Sequence, residues 1–157
     1  EMFMEISSYC DNKKVHLFST PFSKSAVDTL ISVLKDPVIK VASCDVTNIP
    51  FLEYISERVD KVLLSTGMAT LDEIAEAVEI FTGKRSSDLG LMHCISLYPP
   101  RDDQLNLLNI DNRCRQLTRC RQIDKSHHAS PWSGLVPRAL SRGEPAGART
   151  HGALFLP

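Results

Sequence analysis

Apolar residues along this chain come in four short runs, and each run breaks off into a small cluster of Ser, Thr, Lys or Gly. They are V-H-L-F-S-T-P-F (15–22), V-I-K-V-A-S-C-D (38–45), K-V-L-L-S-T-G-M (61–68) and L-G-L-M-H-C-I-S (89–96). The first three start 23 residues apart and the fourth starts 28 residues later. That spacing fits a strand, a covering helix and two short loops. Helical periodicity fills the gaps between the runs. Val27, Leu30, Ile31 and Leu34 share one helix face, with Ser23 or Ser25 able to cap it. Asn48 and Pro50 suit a helix start whose buried stripe is Leu52, Ile55 and Val59. Thr70-Leu-Asp-Glu73 is a capping-box pattern, in which a hydroxyl and a carboxylate three residues apart satisfy each other's backbone donors. Leu71, Ile74, Val78 and Phe81 follow at helical spacing, and Gly83 is placed to end that helix. At the start, Phe3, Ile6 and Cys10 also lie on one helical face, an entry that reads as a chain cut inside a domain.

Beyond Pro99-Pro100, a polar loop leads to Leu105, Leu107, Leu108 and Ile110, which open a fourth helix, and from about Asn112 the periodicity is lost. Charge divides the chain at the same place. Residues 1–111 carry 10 Lys and Arg against 17 Asp and Glu, whereas residues 112–157 carry 8 against 2. Segment 129–157 is rich in Pro, Gly, Ala, Arg and Ser, which bury too little apolar area to offset their ordering entropy. The expected organisation is therefore an α/β domain over 1–111 and a largely disordered, irregular tail over 112–157.

Strands that all end in polar residues are how a parallel α/β sheet builds an anion or sugar site. Four β/α units make about half of a closed eightfold barrel, which needs roughly 250 residues. A small open doubly wound sheet fits the periodicity equally well. Five cysteines in no regular framework read as reduced cytosolic thiols, and no apolar run approaches the roughly 18 residues of a membrane span.

Several polar residues at the strand ends carry candidate chemistry. Lys40 interrupts an apolar strand, where an ammonium is costly unless an anion meets it. It reads as an edge-strand charge that blocks aggregation, as an anion ligand, or as a Schiff-base amine. Ser43 and Asp45 just beyond it favour a ligand site. Ser19-Thr20 and Ser65-Thr66-Gly67 read either as helix caps or as phosphate donors. Thr70 already caps its helix, so Ser65 and Thr66 have no evident structural duty. Gly67 would admit a ligand close to the backbone. His93-Cys94 reads as packing before it reads as a metal ligand or nucleophile. Arg113, Arg115, Arg119 and Arg121 have little aromatic company, which argues against a nucleic-acid surface.

Taken together, F-S-T-P-F-S (18–23), I-K-V-A-S-C-D-V-T-N-I-P-F-L-E-Y-I (39–55), V-L-L-S-T-G-M-A-T-L-D-E-I (62–74) and L-M-H-C-I-S-L-Y-P-P (91–100) resemble the sialic acid synthase family. That family makes N-acetylneuraminate, legionaminate and related nonulosonic acids. The resemblance covers residues 1–111, and H-C-I-S-L-Y-P-P leans toward legionaminate-type members. It implies a partial (β/α)8 TIM barrel, strands three to six, taken from an enzyme that carries a further small C-terminal domain. It also implies a cytoplasmic enzyme, a homodimer when full length, with neither nucleic-acid nor membrane partners. The implied reaction condenses phosphoenolpyruvate with an N-acyl mannosamine-type sugar and releases phosphate. Carried over by motif, Thr20, Lys40, Ser43 and Ser65 would hold phosphoenolpyruvate, and Ser96 would meet its phosphate. Asp45 would face the reacting carbons, with Lys40 beside it, and Tyr98 would line the amino-sugar pocket. Cys44 stands where the family often has Gly.

The resemblance further implies Mn²⁺ or Mg²⁺ held by two histidines in later motifs, and neither motif occurs in this chain. The first two strands of the family are also missing, so the chain by itself is expected to be inactive. Loss of pattern, the switch from Lys to Arg and the Gly/Pro/Ala excess after Asp111 together suggest that 112–157 is read out of frame. Sequencing the locus tests that, and failure to find a shifted frame that restores a His-containing barrel strand would refute it. The rival readings are a Schiff-base aldolase using Lys40 and a non-catalytic α/β phosphate-binding module.

Overall fold

The computed structural model describes residues 2–83, 88–97, 99–110 and 153–155. The chain opens with α1 (Met2–Lys13) and α2 (Lys24–Val33), followed by β1 (Val38–Val41), α3 (Ile49–Ser56), β2 (Lys61–Ser65), α4 (Leu71–Gly83) and β3 (Asp88–Met92). A short strand, β4 (Ala153–Phe155), comes much later. The sheet order is β1-β2-β3-β4. Strands β1, β2 and β3 are parallel neighbours, and β4 lies antiparallel on β3.

Local chemistry sets most of the helix boundaries. The Ser23 hydroxyl accepts from the Ala26 N–H at 3.2 Å and caps α2. Pro50 sits in the first turn of α3, where a missing N–H costs nothing. At α4 the Thr70 N–H donates to Glu73 Oε2 at 2.7 Å, while the Glu73 N–H donates back to Thr70 Oγ1 at 3.3 Å. These two bonds complete the capping box that the sequence predicts.

The first apolar run departs from expectation. Residues 15–22 form no strand; Ser19 alone bridges to Ile39 in the parallel sense, and the Lys40 N–H donates to the Ser19 carbonyl at 3.0 Å. Val15 and Phe18 are exposed. With β1 on one side and no partner on the other among the described residues, the run holds a single rung of a ladder. Residues 108–110 are helical, consistent with the predicted fourth helix opening there. The tail expected over 112–157 lies almost wholly outside the described residues. Its residues 153–155 form β4, an ordered element where none was expected. The free edge of β3 offers unpaired backbone groups that such a segment can satisfy.

The core lies on one face of the sheet. Val27 and Leu30 of α2, Leu52 and Ile55 of α3, and Ile74, Val78 and Phe81 of α4 pack there against Ile39, Val41, Val62, Leu64, Leu89 and Leu91. Side chains alternate along a strand, so Val38, Lys40, Leu63, Ser65 and Met92 belong to the opposite face, where Val38, Leu63 and Met92 make a small separate cluster. Among the described residues the strand order shows no reversal, and α2, α3 and α4 all lie on one face, unlike the two covered faces of a doubly wound sheet.

Outside the core, α2 and α3 are tied by a polar cluster. The Tyr54 hydroxyl donates to the Asp28 carboxylate at 2.8 Å, and the Arg58 guanidinium lies 3.6 Å from the Tyr54 ring centroid. At the start of β2, Lys61 pairs with Asp36. No helix among the described residues is long and apolar enough to cross a membrane.

Candidate functional site

Register brings the polar strand ends side by side. Lys40 of β1 is aligned with Leu63 of β2, and Ser65 of β2 with Met92 of β3. Lys40 and Ser65, two positions beyond Leu63, therefore share the face opposite α2, α3 and α4. The Ser19–Ile39 bridge sets Thr20 at the level of Lys40 on the other side. Lys40 is half-buried, and neither its ammonium nor the Thr20 hydroxyl has a partner among the described residues. Ser65 is 2 % exposed, and among the described residues its hydroxyl finds only the Met92 sulfur, 3.9 Å away. A thioether is a weak acceptor, so the hydroxyl keeps most of its capacity for another group.

Beyond the strands, three loops meet at Gly67. Its N–H donates to the Ser43 hydroxyl at 3.0 Å. A Cβ placed on Gly67 would lie 3.0 Å from Ser43 Oγ, 3.1 Å from Ser96 Oγ and 3.4 Å from Cys94 Cβ. The missing side chain is what lets the loops after β1, β2 and β3 close on one another. The next residue, Met68, takes a left-handed backbone with φ 64° and is exposed.

Asp45 ends a single 3₁₀ turn, Ser43–Asp45, that carries the chain from β1 toward α3. Its Oδ1 accepts from the Asn48 side-chain amide at 3.2 Å, and its Oδ2 lies 3.9 Å from the Cys44 thiol. The sequence assigns Asn48 to helix capping, but its side chain makes no capping bond to α3. Its amide goes to the carboxylate instead.

Thr66 departs from expectation as well. It is buried, and both its hydroxyl (2.9 Å) and its N–H (3.0 Å) donate to the Met92 carbonyl. That double bond to one acceptor is the structural duty that the sequence hides, because Met92 is distant in the chain. Thr20, Lys40, Ser43, Ser65 and Ser96 thus stand at the same end of neighbouring strands, with Asp45 one turn away. Tyr98 lies outside the described residues. No group of three or more His, Cys, Asp or Glu among the described residues could hold a metal ion.

Comparison with known proteins adds to this geometry. The model of the NeuB family matches residues 1–129, which passes beyond the boundary expected at 111. The chain is 34% identical over 105 residues to the N,N'-diacetyllegionaminic acid synthase of Campylobacter jejuni, covering 66% of this chain and 31% of that protein. It is 28% identical over 112 residues to the N-acetylneuraminate-9-phosphate synthase of Drosophila melanogaster, covering 70% of this chain and 30% of that protein. Among solved structures, the N-acetylneuraminic acid (sialic acid) synthetase of Leptospira borgpetersenii, in complex with citrate, matches with a TM-score of 0.65 at 34% identity, covering 70% of this chain and 38% of that one. The chain spans about a third of the length of the curated relatives it matches.

Proposed function

Because the chain belongs to the NeuB family, we propose that it carries the phosphoenolpyruvate cradle of a nonulosonic acid synthase. The placement of Lys40 and Ser65 on the sheet face opposite α2, α3 and α4, beside the Ser43–Gly67–Ser96 junction, is the observation that supports this reading most. A phosphate needs hydroxyl donors and a cation in a site with little competing water, and these residues provide both. Lys40 offers the charge, and Thr20, Ser43, Ser65 and Ser96 offer hydroxyls. Asp45, steadied by Asn48, sets a fixed carboxylate near the carbons that change bonding.

In the reaction we assign, C3 of phosphoenolpyruvate bonds to the aldehyde C1 of an N-acyl mannosamine-type sugar, whose oxygen takes a proton. Water adds at C2, the C2–O bond to phosphorus breaks, and inorganic phosphate leaves. Strands β1, β2 and β3, with their helices on one face, are three consecutive units of a (β/α)8 barrel in this reading. Their other face is then the barrel interior, and the site is its C-terminal mouth. The described residues do not fit the divalent metal that the resemblance implies, so no step is routed through it. We place the protein in the cytosol, the compartment that the irregular spacing of its five cysteines favours.

The test is a calorimetric titration of the chain with phosphoenolpyruvate, alongside an assay with the mannosamine derivative and Mn²⁺. Saturable binding without product is the expected result. Absence of binding would overturn the assignment of the cradle, and product formation would overturn the expectation that this chain alone is inactive.

A further inference from the structure

His93 follows β3 directly and is 9% exposed. Its Nε2 lies 2.9 Å from the carbonyl oxygen of Leu105. A carbonyl oxygen only accepts, so Nε2 carries the hydrogen and donates it. Nδ1 is buried and has no partner among the described residues. A buried polar atom left without a partner costs free energy, and a leucine would fill the same space without that cost. Packing alone therefore does not account for the imidazole; its bond to Leu105 does.

That bond closes the segment running from 93 to 105. Among the described residues, the other side-chain bonds in the segment, from Arg101 to Gln104 and Asp103, stay within one turn. The closed segment carries Cys94 and Ser96, which border the same notch at Gly67 as Ser43 does. His93 holds the segment at its root, and Ser96 lies at that notch.

We propose that His93 is a positioning residue: through the Leu105 carbonyl it holds the 93–105 segment closed, so that Ser96 stays against Gly67 and Ser43. The part of this that concerns ligand binding rests on the reading of Ser43 and Ser96 as phosphate contacts. The part that concerns the segment stands on the geometry alone.

The experiment compares the full chain with its His93→Leu and His93→Gln variants, using amide hydrogen exchange and calorimetric titration with phosphoenolpyruvate. Glutamine keeps a side-chain N–H that can reach the Leu105 carbonyl, and leucine does not. Unchanged protection at Leu64 and Val78 shows that sheet and helix stay folded. In His93→Leu we expect faster exchange at Gln104 and Leu105, whose N–H groups are hydrogen-bonded within the closed segment, and binding about tenfold weaker, the size expected from losing one charge-assisted hydrogen bond. His93→Gln should recover most of both. Ring ¹⁵N shifts of the unmodified chain should show the Nε2–H tautomer. The proposal is overturned if leucine leaves exchange unchanged, or if glutamine and leucine lose protection equally. Should the unmodified chain bind no phosphoenolpyruvate, the proposed function fails, and the exchange comparison still decides the role of His93.

Discussion

The backbone N–H of Gly67 donates to the Ser43 hydroxyl across 3.0 Å, which ties the loop after β2 to the loop after β1. Ser96 approaches the same α-carbon from the loop after β3. A methyl group at Gly67 would meet the Ser43 and Ser96 hydroxyls at 3.0 and 3.1 Å, closer than side chains normally pack. Gly67→Ala should therefore cost about 1–3 kcal/mol through overpacking. It should also weaken phosphoenolpyruvate binding by displacing both hydroxyls. Thermal melts and titration of the same sample check this, and an alanine variant with unchanged binding would show that the junction tolerates a wider gap.

Lys40 has no ion pair among the described residues, so replacing its side chain breaks none there. Lys40→Met should leave the melting temperature unchanged or raise it, because a half-buried charge is replaced by an apolar chain of similar length. Anion binding should fall by at least about tenfold, as expected from losing a charge-assisted contact. Borohydride treatment with pyruvate should leave Lys40 unlabelled. A label there would favour the Schiff-base aldolase.

Helix α4 should report on pH through its first turn. Hydrogen bonds from the Thr70 backbone and then the Thr70 side chain hold the Glu73 carboxyl below its ordinary value, against desolvation. A carboxyl depressed in the folded state stabilises it fully above the ordinary carboxylate range. That contribution is lost as pH falls through the lower, native value. Glu73→Gln should flatten this part of the stability profile between neutral and acid pH. Amide exchange at the start of α4 is the measurement.

Tyr54 separates stability from binding. Its hydroxyl bridges to Asp28, and that hydrogen bond first, then desolvation, raises its ionisation above the usual phenol range. The neutral phenol is thus favoured in the folded state, and this support is present below the ordinary phenol value and lost as pH rises beyond it. Tyr54→Phe keeps the ring under Arg58 and removes the bridge between α2 and α3. A small fall in melting temperature with unchanged phosphoenolpyruvate affinity is expected. A parallel loss of affinity would connect this outer cluster to the site.

Sequence reading was accurate where a structure is dictated by near neighbours. The Thr70–Glu73 box and Gly83 mark the ends of α4, and Ser23 caps α2. Lys40, Ser43, Ser65 and Ser96 stood out because polar residues at the ends of apolar runs are individually conspicuous. What stayed hidden depends on contacts between distant segments. Nothing local distinguishes the run 15–22, with one strand neighbour, from the runs that have two. The bond from Thr66 to Met92, the diversion of Asn48 to Asp45 and the pairing of His93 with Leu105 all join groups whose relation only folding creates. β4 was illegible for the same reason, since its partner β3 lies far earlier in the chain.

The parallel strands lie in space in the order in which they occur along the chain, and each delivers its own polar cluster to the common rim. Each cluster thus rides on a separate cassette whose apolar scaffold is buried behind it. Drift or exchange in one such cassette alters one contact and leaves the rest of the rim standing, so the rim can change its chemistry one strand end at a time.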